Sequence, residues 1–139
     1  MSHVAKPLPD LSHPDFLPYW QACQESRLVV QSCPTCLTVR WPPRPSCRVC
    51  GAQAITWSEV SGFGSLYSWT TIGHPYDPAF EDEVPYTVGV VELYEPAGIR
   101  FLGRILHDEG PLTIGDPCRV EFVRVDVDLQ LPVWRHVPL

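Results

Sequence analysis

The first third of the chain contains one stretch in which apolar residues recur with a helical period. These residues fall at i, i+3, i+4 and i+7, the spacing of a single apolar helix face: Phe16, Tyr19, Trp20 and Cys23. The pattern predicts a short helix from Asp15, whose carboxylate can cap its amino end, to about Glu25. The apolar face must pack, either on the rest of this chain or on a partner protein.

Residues 27–51 predict a small zinc ribbon built on a β-hairpin. Residues 27–32 are expected to form its first strand and residues 39–41 the second, followed by a stiff, proline-rich segment over 42–45. Two CxxC pairs, separated by ten residues, flank the second strand and the proline-rich segment: Cys33 and Cys36, then Cys47 and Cys50. A module this small is expected to take most of its folding energy from a bound metal.

The two CxxC pairs predict a site made of four thiolates. Four cysteines are a usual tetrahedral ligand set for structural zinc, with Zn–S distances of about 2.3 Å. We therefore expect one structural Zn²⁺ with no open coordination position, and a positive φ at Gly51 after the second pair. Rubredoxin-type iron and two disulfides are the alternatives. The remaining Cys23 and Cys118 are expected to be buried free thiols.

After Trp57 the pattern takes the two-residue period of strands, interrupted by glycines. Five strands are predicted, at about 62–72, 86–93, 99–106, 118–125 and 133–137, with a long acidic loop over 73–85. Within the first, Tyr67 and Trp69 are expected on one face, with Leu66 and Ile72 on the other. Five short strands with glycine kinks suit a closed OB-fold barrel.

The predicted fold class is therefore mainly β. An N-terminal arm is expected over residues 1–14, the short helix and zinc ribbon over 15–54, and a five-stranded OB-fold barrel over 55–139.

Charge and composition narrow the possible functions. The 139 residues carry a net charge of −6, which argues against a general nucleic-acid binder. No apolar run approaches 18 residues, so no membrane span is expected. The first residues lack a signal-peptide core, so a reducing, cytoplasmic location is expected. The five histidines lie in no recognisable nucleophile motif, and His74 is the best single candidate for a reactive-site role.

The order of these motifs resembles the DUF35 family of zinc-ribbon and OB-fold proteins. The resemblance covers about residues 14–125 and leaves the arm and residues 126–139 outside it. Its motifs are Tyr19-Trp20, residues 27–31, the two CxxC pairs with Gly51, residues 40–45, residues 64–70, Pro85-Tyr86 and residues 114–116.

What the resemblance implies is a partner rather than a stand-alone enzyme. DUF35 proteins are associated with acyl-CoA metabolism and typically pair with thiolase-superfamily proteins. Similar proteins pair with a thiolase-like lipid-transfer protein to form an aldolase that performs retro-aldol cleavage in steroid side-chain degradation. The chain is then expected to be a CoA-binding accessory subunit of such an enzyme, with two copies of each chain and the catalytic residues on the partner.

The resemblance also implies roles for particular side chains. Three arginines, Arg40, Arg44 and Arg48, would hold CoA phosphates, and Trp41 would stack on the adenine or cover the ribose. The arginines could instead be solvated and balance the charge of a tetrathiolate site. An acyl slot, or a wall of the partner's tunnel, would be lined by Tyr67, Trp69, His74, Phe80 and Tyr86. For these aromatic residues the alternative is plain barrel core.

Two other function classes remain open from the sequence. Zinc ribbons and OB-folds also occur in modules that bind single-stranded nucleic acid. A rubredoxin-like electron carrier would hold iron at the four cysteines. On the outward face of the third predicted strand, Arg100 and Arg104 are expected to be either solvated or in contact with a partner.

Overall fold

The computed structural model describes residues 5–108 and 110–138, so residues 1–4 of the predicted arm, Glu109 and Leu139 lie outside it. The helix α1 spans Leu17–Gln24, and a short 3-10 helix spans Pro78–Phe80. The strands are β1 Leu28–Ser32, β2 Val39–Arg40, β3 Thr56–Val60, β4 Phe63–Ile72, β5 Tyr86–Leu93, β6 Arg100–Leu106, β7 Pro117–Asp126 and β8 Leu129–His136.

The strands form two units, a three-stranded sheet in the order β2-β1-β3 and a closed barrel in the order β4-β5-β6-β8-β7. The mainly β fold with one short helix, a ribbon and a five-stranded OB-like barrel is thus confirmed. Within the described residues, neither helix has the length and apolar character needed to cross a membrane.

The start of α1 differs from its prediction. The helix begins at Leu17, with Phe16 in the capping position and no side-chain cap. The amides of Phe16 and Leu17 instead donate to the carbonyl oxygen of His13, at 3.0 and 2.9 Å. A local turn thus satisfies amides that Asp15 was expected to reach, so the predicted cap is wrong. Pro18 lies in the first turn, where its missing N–H costs little.

The strand β3 was not predicted, and it belongs to the ribbon sheet rather than to the barrel. It runs antiparallel to β1, with Leu28 opposite Val60 and Ser32 opposite Thr56. The strand that opens the ribbon therefore has two neighbours, because β2 pairs with its other edge. The apolar residues of β1 belong to the same buried core as those of α1.

A β-bulge in β4 overturns the predicted faces of that strand. Leu66 lies opposite Val91 on β5, but the next pair joins Ser68 to Val90, so Tyr67 is an extra residue. An extra residue reverses the alternation of side chains beyond it. Trp69 therefore follows the inward row of β5 and Tyr67 does not, and the prediction that they share a face is wrong.

The same reversal places Ile72 opposite Tyr86, which belongs to the outward row of β5. Leu66 is buried on the inward side. The prediction that Leu66 and Ile72 share a face is therefore also wrong, for the same reason.

One continuous apolar core joins the helix, the ribbon and the barrel. From the helix and ribbon it includes Tyr19, Cys23 and Val30, and from the barrel Leu66, Val91, Phe101, Ile105, Cys118 and Trp134. Cys23 and Cys118 are buried free thiols, as expected, and burial raises the pKa of Cys23 to about 12 and that of Cys118 to about 11.

The β7–β8 hairpin connects the barrel to the end of α1. The side-chain amide nitrogen of Gln130 donates to the carbonyl oxygens of Cys23 and Gln24, at 2.8 and 3.2 Å, and lies 3.1 Å from the Ser26 hydroxyl. These carbonyls belong to the last turn of the helix. The carbonyl groups of a last turn have no donors within the helix itself. Residues beyond the resembling segment thus hold the helix in place.

Candidate metal centre and partner surface

The four cysteines of the CxxC pairs converge on one point. The Sγ atoms of Cys33 and Cys50 lie 3.6 Å apart, as do those of Cys36 and Cys47, and all four sulfur atoms lie within 4.8 Å of one another. A tetrahedron with Zn–S distances of about 2.3 Å has sulfur atoms about 3.8 Å apart. The four thiolates therefore fit one structural zinc ion and fill its coordination sphere.

Both CxxC turns have the same backbone geometry. The amide of Leu37 donates to the carbonyl oxygen of Cys33, and the amide of Gly51 donates to that of Cys47, each at 2.8 Å. The residue after each pair adopts a left-handed conformation, with φ of 64° at Leu37 and 78° at Gly51. The positive φ predicted at Gly51 is confirmed, whereas the one at Leu37 was not predicted.

In three of the four cysteines, hydrogen bonds to sulfur favour the thiolate form that a metal requires. The backbone amide of Cys36 lowers the pKa of Cys33, and that of Cys50 lowers the pKa of Cys47. The Thr38 hydroxyl, 3.0 Å from the Cys36 Sγ atom, lowers the pKa of that thiol. These donors compensate part of the negative charge that four thiolates bring together.

A polar network attaches the segment that leads to the second CxxC turn to the hairpin that carries the first. The Gln31 side-chain oxygen accepts from the Arg40 Nε atom and from the Arg44 backbone amide, both at 2.8 Å. The Arg40 guanidinium also approaches the Arg44 carbonyl oxygen, at 3.5 Å. Sequence reasoning missed Gln31, although a glutamine that directly follows three apolar strand residues is a signal of a buried polar contact.

The four ribbon residues expected at CoA are divided by the structure. Arg40 is only 6% exposed and is used by the network just described. Trp41 is half-buried against the core, with its ring centroid 4.6 Å from those of both Tyr19 and Phe101. Arg44 and Arg48 are exposed. Arg40 and Trp41, which were expected to contact CoA, therefore make contacts within this chain. Arg40 binds Gln31, and Trp41 packs on the helix and the barrel.

The residues expected to line an acyl slot fall into two groups, and none of them belongs to the buried core of the described residues. The first group lies along and beyond β4. Tyr67 is 49% exposed and carries the Arg100 guanidinium over its ring at 3.9 Å. Trp69 is 40% exposed, and His74 is exposed after the end of the strand.

The second group joins Phe80 of the acidic loop to Tyr86 at the start of β5, on the outside of the barrel. The rings of Phe80 and Tyr86 are 6.4 Å apart, and the Arg104 guanidinium lies over Tyr86 at 4.0 Å. Arg104 also pairs with Glu83 at 3.0 Å, and Lys6 pairs with the same carboxylate. Lys6 and Glu83 thereby hold the arm and the loop against β6.

A cleft of about 410 Å³ opens beside this second group. The arm contributes Leu8, and strands β7 and β8 contribute Val123 and Leu131. Its walls are largely apolar, with Lys6 and Arg104 among the charged residues that line it. The arm thus covers part of the outer barrel surface rather than extending freely.

Two family models match consecutive parts of the chain. The model described as "ChsH2, rubredoxin-like zinc ribbon domain" matches residues 20–56, and "ChsH2, C-terminal OB-fold domain" matches residues 57–123. Together they cover the ribbon and most of the barrel.

Two curated relatives are similar over most of this chain. A "DUF35 domain-containing scaffold protein" of Pyrococcus furiosus is 33% identical over 106 residues, which are 76% of this chain and 74% of that one. A "Probable enoyl-CoA hydratase alpha subunit" of Thermomonospora curvata is 37% identical over 118 residues, 84% of this chain. The chain spans only 36% of the length of the Thermomonospora relative.

Two solved structures have a similar fold. The "Ltp2-ChsH2(DUF35) aldolase" contains a chain that is 35% identical, with a TM-score of 0.81 over 92% of this chain and 98% of that one. A DUF35 protein of unknown function from Sulfolobus solfataricus is 13% identical, with a TM-score of 0.59 over 92% of this chain and 89% of that one. The second likeness concerns the fold alone.

Proposed function

Because this chain belongs to the DUF35 family, with a ChsH2-type zinc ribbon followed by an OB-fold, we propose that it is a zinc-containing scaffold subunit of a thiolase-superfamily enzyme. The enzyme would make or cleave C–C bonds in acyl-CoA thioesters, with its catalytic residues on the partner. The observation that carries this proposal is the likeness, over 92% of this chain, to a chain of the Ltp2-ChsH2(DUF35) aldolase.

The packing of the barrel supports a scaffold role. Its interior is filled by apolar side chains, among them Leu66, Phe101 and Trp134, which are at most 3% exposed. A closed barrel of five strands filled in this way has little internal room for a ligand. Substrate and partner would therefore contact the outside of the barrel or the ribbon.

The finer proposal concerns the reaction. The complex would be a retro-aldol aldolase of steroid side-chain degradation, acting in the cytoplasm with two copies of each chain. Two observations support it: the similar structure is an aldolase built from two named proteins, and the curated relatives include scaffold proteins.

For CoA binding, we propose that Arg44 and Arg48 bind the phosphates. Both side chains are exposed on the ribbon, and a guanidinium offers a planar pair of donors that suits phosphate. Arg40 and Trp41 would act indirectly, because the first fixes the backbone of Arg44 and the second fixes the ribbon on the barrel.

For the aromatic residues, we propose contact with the partner at the walls of its substrate tunnel. This role is supported better than an acyl slot inside the barrel, because none of the five residues is buried: Tyr67, Trp69, His74, Phe80 and Tyr86. Each group would present a tyrosine with an arginine stacked on its ring, Tyr67 with Arg100 in the first and Tyr86 with Arg104 in the second.

The test is affinity purification of the tagged chain from its native cells, followed by mass spectrometry of the proteins and metal analysis of the eluate. We expect a thiolase-superfamily protein in equal amount and one zinc per chain. Adding a CoA thioester of a steroid side chain to the complex should give retro-aldol products, whereas this chain alone should give none.

Two outcomes would contradict the proposal. If the zinc-loaded chain is purified without a protein partner, it is not a scaffold subunit. Co-purified single-stranded nucleic acid that is released as the salt concentration rises would favour a nucleic-acid module.

A further inference from the structure

One edge of β4 is paired over only part of its length. The barrel closes where residues 63–65 of β4 pair with residues 117–119 of β7. The next residue, Leu66, donates to the carbonyl oxygen of Asp116 and accepts from the amide of Gly115, both at 2.8 Å. Beyond Leu66, no backbone hydrogen bond on this side of β4 is found among the described residues, whereas β5 pairs with the opposite side as far as Ile72.

The direction of the free backbone groups follows from Leu66. Its amide and carbonyl both point toward β7, and the residues of an antiparallel strand alternate between their two neighbours. Because Tyr67 and Ser68 together oppose Val90 at the bulge, the next residues that point away from β5 are Trp69 and Thr71. Residues 67–72 thus present an open edge about 20 Å long.

Beyond the bulge at Tyr67, this edge lacks the charges and prolines that usually protect an edge strand. Residues 67–71 are all exposed, so both faces of the strand are accessible as well as its edge. Residues 67–72 include no charged side chain and no proline, and they are rich in aromatic and β-branched residues. Exposed edges in native proteins are usually blunted by charges, prolines, a β-bulge or a covering segment. The bulge at Tyr67 lies at the start of this edge, so residues 68–72 depend on a covering segment.

We propose that the open edge of β4 binds an extended segment of the partner subunit as an additional strand. Unpaired backbone amides and carbonyls are satisfied by another extended backbone, which is the chemistry of β-strand addition. The segment would be uncharged where it faces residues 67–72, because a charge buried there would have no partner. This inference rests on the proposed function, since it takes the occupant to be the thiolase-superfamily subunit.

The experiment is hydrogen–deuterium exchange of this chain, alone and in its complex with the thiolase-superfamily subunit recovered with it. We expect the amides of Trp69 and Thr71 to exchange rapidly in the free chain and at least tenfold more slowly in the complex. Unchanged exchange in a complex that does form would overturn the edge proposal and leave the proposed function standing. Failure to form any complex would contradict both.

A proline variant tests the same edge by affinity. Thr71→Pro removes one outward amide and leaves the amides that bond to β5, whereas Thr71→Ala keeps the amide and removes only the side chain. We expect Thr71→Pro to bind the partner at least tenfold more weakly than Thr71→Ala. Equal affinity for both folded variants would overturn the proposal. If Thr71→Pro does not fold, the hydrogen–deuterium exchange experiment is the deciding test. Slow exchange in a dimer of the isolated chain would also overturn it, because a second copy would then be the occupant.

Discussion

Single residues distinguish the two CxxC turns, because each turn needs a left-handed residue and only one of them has glycine. Gly51 takes φ of 78° without steric strain, whereas Leu37 takes φ of 64° with a side chain 78% exposed. A left-handed conformation costs an ordinary L-residue about 1–2 kcal/mol. An exposed leucine regains little of that by packing, so Leu37 holds local strain in the first turn.

Leu37→Gly should therefore stabilise the zinc-loaded chain. We expect the free energy of unfolding to rise by about 0.5–1 kcal/mol, because the relief of strain exceeds the added flexibility of glycine in the unfolded chain. Denaturant titration of the zinc-loaded protein measures it. Val49→Gly is the matched control, since Val49 is also exposed in a CxxC turn but has no positive φ. That variant should be destabilised, and equal effects would refute the strain at Leu37.

The proposed CoA role of Arg44 can also be tested at the level of one side chain. Its backbone is held by Gln31 and Arg40, so truncation of the exposed side chain leaves those bonds in place. We expect Arg44→Ala to weaken CoA binding about tenfold, or about 1.4 kcal/mol, with unchanged zinc content and stability. Calorimetric titration with CoA measures the change. The control Arg119→Ala, on the barrel, should bind CoA as tightly as the unaltered chain. Unchanged CoA affinity in Arg44→Ala would mean that Arg44 is a solvated charge without a role in CoA binding.

At the scale of elements, α1 depends on the β7–β8 hairpin more than on its own sequence. It is only eight residues long and has no side-chain cap. Isolated helices of that length are not stable in water. The hairpin supplies what the helix lacks, because Gln130 donates to the carbonyl oxygens of its last turn.

Gln130→Ala should loosen the end of the helix. We expect a loss of about 1 kcal/mol of unfolding free energy, because the carbonyl oxygens of Cys23 and Gln24 lose the Gln130 donor, while that of Cys23 keeps the Ser26 amide. Amide exchange in α1 should accelerate in the same variant. Gln21→Ala removes an exposed glutamine of the same helix and should stay within about 0.5 kcal/mol of the unaltered chain. If the two variants behave alike, the hairpin does not support the helix.

At the scale of the whole molecule, Trp41 joins the ribbon to the barrel. It follows β2 directly, and its ring lies between Tyr19 of the helix and Phe101 of β6. Phe101 in turn contacts Trp134, with 5.8 Å between ring centroids. This row of rings makes the relative position of the two units a property of the core rather than of a linker.

Trp41→Ala should therefore separate the two units. We expect a loss of about 3 kcal/mol, the lower end for truncation of a packed tryptophan, because the ring packs on both units. Trp69→Ala is the matched control, since Trp69 is 40% exposed and should stay within about 0.5 kcal/mol. Denaturant unfolding followed by circular dichroism compares the two. Equal losses would mean that Trp41 does not join the units.

Removal of the metal should act first on the ribbon. The barrel ladder contains none of the four ligands, whereas the ribbon is too small to fold by burial alone. With a zinc chelator, or in Cys36→Ser, we expect amide protection to be lost in residues 28–60 and retained in β5 and β6. Partner binding should be lost at the same time. If the ribbon amides stay protected without zinc, or if Cys36→Ser still assembles with the partner, zinc is not required for the ribbon fold or for partner binding.

Local spacing explains which predictions succeed. A CxxC turn is a short local segment, so its spacing fixes where both sulfur atoms point. Two such turns therefore predict a metal site without knowledge of the rest of the fold. The mainly β class and the five barrel strands follow equally from a two-residue period. The faces of β4 could not be predicted, because one inserted residue at Tyr67 leaves no clear mark in composition but reverses every later side chain.

The sequence by itself determined the four-cysteine site, the zinc it suits, the order of ribbon and barrel, and the motifs shared with DUF35 proteins. Only the tertiary structure decided which side chains face solvent. It buried Arg40 against Gln31, packed Trp41 against two other aromatic rings, and left Tyr67 and Trp69 on an open strand edge. The reason is physical: metal coordination and strand period are set by neighbours in the chain, whereas burial is set by residues that meet from distant parts of it.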